Sequence, residues 1–426
     1  MTDQTVAKLI AQEANRQRGG LELIPSENYV SRGVLEALGS EFTNKYAEGY
    51  PGARYYGGQE FTDRVEQLAI DRAKSLFGAD HANVQPHSGA PANLAVYGAW
   101  LEPGDTVLAM ELSHGGHLTH GAPVTYAARL YNFVRYGMKN PDTGEIDYDQ
   151  LADIALKTKP KLIIAGFSAY PRELDYGRFA EIGRAAGALL MADMAHIAGL
   201  IAGGVLANPL AAGFQVMTAT THKTLRGPRG GLILSRGQTG SPLKDPGKSI
   251  NNIPVLIDRQ VFPGLQGGPH MNVIAAKAVA LGEAAQADFK LYCRQVLDSA
   301  RALAQELSRR GFCLVTGGTD NHLILADVKK SFNIDGAEAQ AALDAVGLNV
   351  NKNTVPDDPL PPFRPSGIRL GTPAVVTRGL MPEHMLQLAE WISLAVKSRQ
   401  NSTALAGLRR QVDAFARQFP LPSDQP

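Results

Sequence analysis

An α/β protein with a mostly parallel sheet and a smaller C-terminal α+β domain is the fold class this sequence predicts. Three observations carry it. Apolar runs of strand length, at residues 106–110, 161–165 and 188–192, alternate with stretches of helical period. That alternation marks a sheet covered by helices on both faces. With 426 residues the chain exceeds one typical core, so two domains are expected. Past residue 310 the pattern changes to two strands in succession, a helix and a proline-rich stretch.

Taken in order, residues 4–18 carry Val6, Leu9 and Ile10 at near-helical spacing before Gly19-Gly20, which reads as an N-terminal helix or arm. Residues 21–30 are irregular, and Ser31 caps a helix over 31–41. Four tyrosines and four glycines crowd residues 44–58, which cannot form a regular element. Tyrosines at that density imply a binding surface, because an aromatic body with a polar tip suits a ligand or an interface. A helix follows over 59–77, a strand-like 83–86, a helix over 88–101 and a helix over 176–187. Residues 214–218 form a further strand, and 236–252 form a polar loop rich in chain breakers. A single helical segment is predicted from 272 to 309, then strands 312–316 and 322–327, a helix over 335–345 and a C-terminal helix from 382. The expected organisation is an arm (1–30), a large domain (31–271), a connecting helical segment (272–309) and a small domain (310–426).

Composition narrows the class. Hydrophobic residues make up 44% and charged residues 19%, as in a globular protein. Lys plus Arg number 42 against 41 for Asp plus Glu, a net charge of +1. A nucleic-acid surface needs a basic excess, so no nucleic-acid partner is expected. No 18-residue apolar run and no leader-like N-terminus occur, so neither a membrane span nor a signal peptide is expected, and a cytoplasmic location is. The two cysteines, Cys293 and Cys313, are read as reduced structural thiols.

The chemistry concentrates at strand ends. Residues 216–231 hold four threonines, His222 and Lys223 between two strands, followed by a glycine-rich turn. A desolvated lysine there has a lowered pKa and a free amine, the starting point of Schiff-base chemistry on pyridoxal phosphate. Ser88-Gly89-Ala90 precedes a helix opening at Pro91 or Ala92, and a helix start offers donors and a favourable dipole to an anion. Asp193 closes a strand, where a carboxylate can pair with a pyridinium nitrogen. An anion cup, an acid and a lysine in that order are more specific than any one of them. His114, His117 and His120 share a glycine-rich loop. Their spacing is wrong for helical metal ligation and no carboxylate falls among them, so no metal is expected and a ring-stacking imidazole fits better. Arg369, flanked by glycines, has the forked geometry for a substrate carboxylate.

Residues 220–231, Thr-Thr-His-Lys-Thr-Leu-Arg-Gly-Pro-Arg-Gly-Gly, resemble the lysine signature of the serine hydroxymethyltransferase family. So do residues 46–58, 114–121, 262–269, 317–322 and 350–353, and the resemblance runs from about residue 20 to 395. It implies an aspartate aminotransferase-like fold (fold type I), pyridoxal 5'-phosphate as cofactor and tetrahydrofolate as co-substrate. By position, it implies that Lys223 bonds the cofactor, Asp193 its pyridine nitrogen, and His117 its ring face. Ser168 and His196 would contact the 3-hydroxyl side. Ser88, Gly89, Ala90 and His222 would hold the phosphate, with Gly267 and Gly268 reaching in from a partner subunit. Ser26 and Arg369 would bind the substrate carboxylate. Glu48 would be the acid–base group, with Tyr46 and Tyr56 around it, all three from the neighbouring subunit, so the active unit is at least a dimer. Leu112, Gly116, His117, Leu118, Asn353, Pro361, Pro362 and Phe363 match folate positions. A folate-independent aldolase of 3-hydroxy amino acids is the alternative. Departures from the family pattern are Pro25 before Ser26, Pro91, the Thr218-Ala219-Thr220 run and the length of the 236–252 loop.

Overall fold

The computed structural model describes residues 2–241 and 244–425; Pro242 and Leu243, within the predicted polar loop, lie outside the described residues, as do Met1 and Pro426. Two compact units divide the chain, one made of residues 30–140 and 145–293, the other of 1–29, 141–144 and 294–426.

The first unit is built on seven strands: β1 (His81–Asn83), β2 (Thr106–Met110), β3 (Asn132–Tyr136), β4 (Leu162–Gly166), β5 (Leu189–Asp193), β6 (Val216–Thr220) and β7 (Gly231–Ser235). Their order is β1-β7-β6-β5-β4-β2-β3. Pairs within β6-β5-β4-β2-β3 are parallel, and β7 runs antiparallel to both neighbours. The continuous apolar wording of β5, Leu-Leu-Met-Ala, follows from burial on both faces. Leu189 and Met191 join the cluster formed with Val96 and Ile257. Leu190 points the other way, onto helix Tyr176–Ala186, where a Cβ on Gly183 would lie 2.6 Å from Leu190 Cδ2. Period-two alternation thus assigns each strand residue to one of two helix layers. The mainly parallel α/β sheet agrees with the predicted class.

In the second unit the strands are β8 (Cys313–Leu314), β9 (Leu323–Asp327), β10 (Asn351–Asn353) and β11 (Gly367–Gly371), ordered β8-β9-β11-β10 and antiparallel throughout. Leu303, Ile324, Leu343, Ile368, Leu388 and Ile392 belong to its core. The irregular N-terminal stretch contributes Leu21–Glu22, which pairs in parallel with Leu348–Asn349.

Several boundaries differ from expectation. The predicted segment 272–309 is two helices, Met271–Ala284 and Ala287–Arg309. Ala285 and Gln286 between them are good helix formers, so composition marks no break. Residues 44–58 include a small hairpin, Gly49–Tyr50 paired with Ala53–Arg54, where a one-turn 3₁₀ start and a loop surround it. The left-handed Gly49 and Gly52 permit that turn. Ser31 does cap a helix, its Oγ accepting from Val34 N, but the helix is Arg32–Leu38. The C-terminal helix begins at Met385 and is followed by another, Ser402–Ala416. Among the described residues no helix is long and apolar enough to cross a membrane.

Candidate active site

Helix α1 (Gly89–Trp100) lies within the expected 88–101 span and opens two residues before Pro91 and three before Ala92, the starts read from the anion cup. Ser88 is its N-cap and makes no side-chain cap bond, and Pro91, lacking a donor, sits within the first turn where donors have no intrahelical partner. Backbone packs closely around this start. A Cβ on Gly89 would lie 2.8 Å from Thr220 Cγ2, and one on Gly231 would lie 2.4 Å from the Ser88 carbonyl oxygen. Glycine at both positions keeps the cup open between β6, β7 and α1.

Asp193, at the carboxyl end of β5, is buried and heavily hydrogen-bonded. Its Oδ2 accepts from Asn93 Nδ2 at 2.8 Å and lies 2.9 Å from His120 Nε2, while Oδ1 accepts from the Ala195 amide at 3.1 Å. Burial alone pushes this carboxyl up, but the His120 hydrogen bond, the neighbouring imidazoles and the Asn93 amide outweigh it and hold it well below the usual carboxylate range. Asn93 is fixed in turn, accepting from Thr218 Oγ1 at 2.7 Å and donating to Thr119 Oγ1 at 2.8 Å. The Thr119 hydroxyl pairs with His117 Nδ1 at 2.8 Å, which also accepts from the Thr119 amide. The His117 amide donates to His120 Nδ1 at 3.1 Å. His120 therefore carries its ring proton on Nε2 and donates it to Asp193.

No carboxylate falls among the three histidines along the chain, but one reaches two of them in space. Folding brings Asp193 to His117 and His120, with one possible ligand atom from each within 4.8 Å of the others. Spacing along the chain could not show this, because Asp193 is 73 residues away. The hydrogen bonds above engage all three side chains, so the cluster reads as a network that keeps Asp193 ionised. Sequence reasoning missed His120 and Asn93 in this role; Asn93, a turn inside a helix, carries no signal of its own.

The segment after β6 is clamped to the segment after β5. Thr220 Oγ1 donates to Ala195 O at 3.0 Å, and Thr224 Oγ1 donates to His196 O at 2.9 Å. The close-packed turn continues with Gly227 N donating to Thr221 O and Thr221 Oγ1 to Pro228 O, both at 2.6 Å. Lys223 is held in this turn with only 8% of its surface exposed. His222 accepts weakly from Gly230 N at 3.4 Å; burial, with Lys223 and Arg229 close by, pushes its pKa down to about 3. It is a neutral imidazole near neutral pH. Ser168 follows β4, its amide donating to Gly115 O at 2.7 Å, which sets the histidine loop against residues 168–170.

A second cluster unites two distant motifs. Tyr46 Oη donates to Glu48 Oε1 at 3.1 Å, and the Tyr46 and Tyr56 rings meet edge-on with centroids 5.2 Å apart. A Cβ on Gly267 would lie 3.2 Å from Glu48 Oε1, and one on Gly268 would lie 3.0 Å from the Tyr46 ring. Tyr46 and Tyr56 are half exposed or more. Beneath them Arg54, nearly buried, donates to Ala47 O and Gly49 O and forms ion pairs with Asp63 and Glu66. Leu112 and Leu118 are exposed on the histidine loop, with Gly116 buried between them.

In the other unit, Arg369 on β11 is 8% exposed and its Nε donates to Asn351 Oδ1 at 3.0 Å. Burial lowers its pKa to about 10. The turn carrying Ser26 reaches the same strand: Gly371 N donates to Leu23 O at 2.7 Å, and a Cβ on Gly371 would meet Pro25 at 2.5 Å. Asn353 lies on β10, and Pro361, Pro362 and Phe363 are exposed in an irregular stretch.

The residues of the first unit suit pyridoxal phosphate. An anion meets the free start of a twelve-residue helix in a cup that a Cβ would fill, and a pyridinium finds an ionised carboxylate. They fit one class of catalyst, the enzymes that use this cofactor at the carboxyl ends of a mainly parallel sheet. The family comparison narrows the class: a family model described as Serine hydroxymethyltransferase matches residues 1–392. The chain belongs to that family, so it is a pyridoxal phosphate-dependent glycine hydroxymethyltransferase that uses tetrahydrofolate as co-substrate.

Proposed function

We propose the following roles for individual residues in moving the hydroxymethyl carbon of serine to tetrahydrofolate. Asp193 carries the reading, because a buried carboxylate kept ionised by hydrogen bonds at the carboxyl end of β5 can pair with a pyridinium nitrogen. Ser88, Gly89, Ala90 and His222 hold the cofactor phosphate, joined by Gly267 and Gly268 of a second copy. Lys223 Nζ would bond the cofactor, Asp193 would pair with its ring nitrogen, His117 would stack on its ring, and Ser168 and His196 would contact its 3-hydroxyl side. When bound, pyridoxal phosphate supplies an electron sink for the amino-acid Cα.

Ser26 and the forked guanidinium of Arg369 orient the substrate carboxylate, which fixes the bond to be broken. Glu48 takes the proton from the serine hydroxyl oxygen or returns one to it, and the Tyr46 hydroxyl orients its carboxylate. Tyr56 closes the same pocket. Leu112, Gly116, His117, Leu118, Asn353, Pro361, Pro362 and Phe363 take the flat pterin and its tail. Glu48, Tyr46 and Tyr56 act on the neighbouring copy, which makes the active unit at least a dimer. Support comes from their clustering with Gly267 and Gly268, a single patch that a partner subunit can present.

The finer fold reading is a fold type I large domain over 31–271 with an arm, a connecting segment and a small C-terminal α+β domain. A cytoplasmic location completes the proposal. Cys293 supports reduced thiols, since burial pushes its pKa up to about 12 and leaves it inert.

The test follows glycine release from serine by the purified enzyme with and without tetrahydrofolate, beside Lys223→Ala. Folate-dependent release that the variant abolishes is the expected result. Equal release without folate, on any 3-hydroxy amino acid, would instead indicate an aldolase.

A further inference from the structure

Lys277 is a buried charge for which the reaction has no use. It sits on helix Met271–Ala284 and is 1% exposed. Its Nζ donates to three backbone carbonyls: Val84 at 2.6 Å, Gly231 at 2.7 Å and Pro86 at 3.1 Å. Three acceptors use all three N–H groups of an ammonium, whereas a neutral amine has only two. Burial pushes its pKa down to about 7, and the buried Glu66 carboxylate opposes that fall.

The three carbonyls belong to the two backbone segments that form the anion cup. Val84 and Pro86 lead into Ser88, and Gly231 N itself donates to Pro86 O at 2.9 Å. Gly230 and Gly231 close the turn that carries His222 and Lys223. A Cβ on Gly230 would lie 2.4 Å from Lys277 Cε and 3.0 Å from its Nζ, so that turn rests directly on the lysine. Glu66, on helix Glu60–Phe77, acts on it electrostatically, and His87 and His222 are held below their ordinary pKa by burial and by neighbouring charge that includes Lys277.

We infer that Lys277 is a positioning residue of the phosphate site: its ammonium ties the Val84–Ser88 segment to the Gly230–Gly231 turn and adds positive charge behind the backbone that would hold the phosphate. The inference rests on the cofactor reading above. A dianion gains from a cation it never touches, because both sit in protein rather than water.

The test compares dissociation constants of the cofactor-free enzyme for pyridoxal phosphate and for pyridoxal, which lacks the phosphate. Two variants are used. Lys277→Met drops both charge and donors, and Lys277→Gln keeps two N–H donors without charge. Circular dichroism shows which of them fold, and the glutamine variant, able to satisfy two carbonyls, stands in if the methionine variant does not. The wild type should prefer the phosphorylated ligand, and each folded variant should lose about tenfold or more of that preference while binding pyridoxal nearly as before. Equal weakening toward both ligands, or an unchanged preference in Lys277→Gln, overturns the role of Lys277 alone. A wild type that binds neither ligand overturns the cofactor reading with it.

Discussion

Replacing His120 with alanine probes how Asp193 is kept ionised. The His120 side chain is 1% exposed, accepts from the His117 amide through Nδ1 and donates to Asp193 through Nε2. Removing it deletes a charge-assisted hydrogen bond worth about 2 kcal/mol. It also leaves the His117 amide without that acceptor and opens a void, for about 1 kcal/mol more. The cofactor-free variant should therefore be about 3 kcal/mol less stable near neutral pH, within the range for breaking a buried charged pair. The pH dependence has a definite sign. The folded-state pKa of Asp193 is depressed, so its contribution is full above the unfolded value of about 3.9 and is lost as pH falls below it. The gap between wild type and variant should hold steady from about pH 5 to 8 and narrow toward about pH 3. Urea unfolding of both proteins, with slopes compared across the pH series, measures it. A gap below about 0.5 kcal/mol at neutral pH, or one that widens in acid, would refute the network.

Three further outcomes are expected. Glu48→Gln should lower kcat by about 10² to 10⁴ with cofactor affinity unchanged, measured by steady-state kinetics and titration; near wild-type kcat would remove Glu48 from proton transfer. Arg369→Lys should raise KM for serine by about tenfold or more, since an ammonium cannot grip a carboxylate with two parallel bonds; an unchanged KM would place the carboxylate elsewhere. His222 has a folded pKa near 3, depressed from an ordinary value of 6.5. It therefore lends stability that is full above about pH 6.5 and falls by about 1.4 kcal/mol per pH unit below it. In His222→Asn the acid limb of a stability–pH curve should lose that slope, and an identical limb in both proteins would contradict it.

Much of the site was legible because its chemistry is tied to local wording. Asp193 and Lys223 follow apolar runs short enough to be strands, and Ser88-Gly89 precedes a helical period, so their places at strand and helix ends could be read directly. What escaped notice lies across the sheet. Asn93 and His120 reach Asp193 from 100 and 73 residues away, and no periodicity encodes those contacts. Lys277 was invisible for the opposite reason: it interrupts an alanine-rich helical stripe and looks like an ordinary exposed lysine until its three carbonyl acceptors are seen. The tyrosine-rich stretch was read as a binding surface, yet its contact with Gly267 and Gly268, more than 200 residues on, is not encoded in its own wording. The division of 272–309 into Met271–Ala284 and Ala287–Arg309 is one that helix propensity does not register.

The central claim is that Lys223, alone among the lysines, bonds the cofactor. Treating the pyridoxal phosphate-loaded enzyme with borohydride and mapping its peptides by mass spectrometry tests it directly. A phosphopyridoxyl mass on the peptide containing Lys223, and its disappearance in Lys223→Ala, is the predicted result. A label on another lysine, or none in an enzyme that still turns over serine, would contradict it.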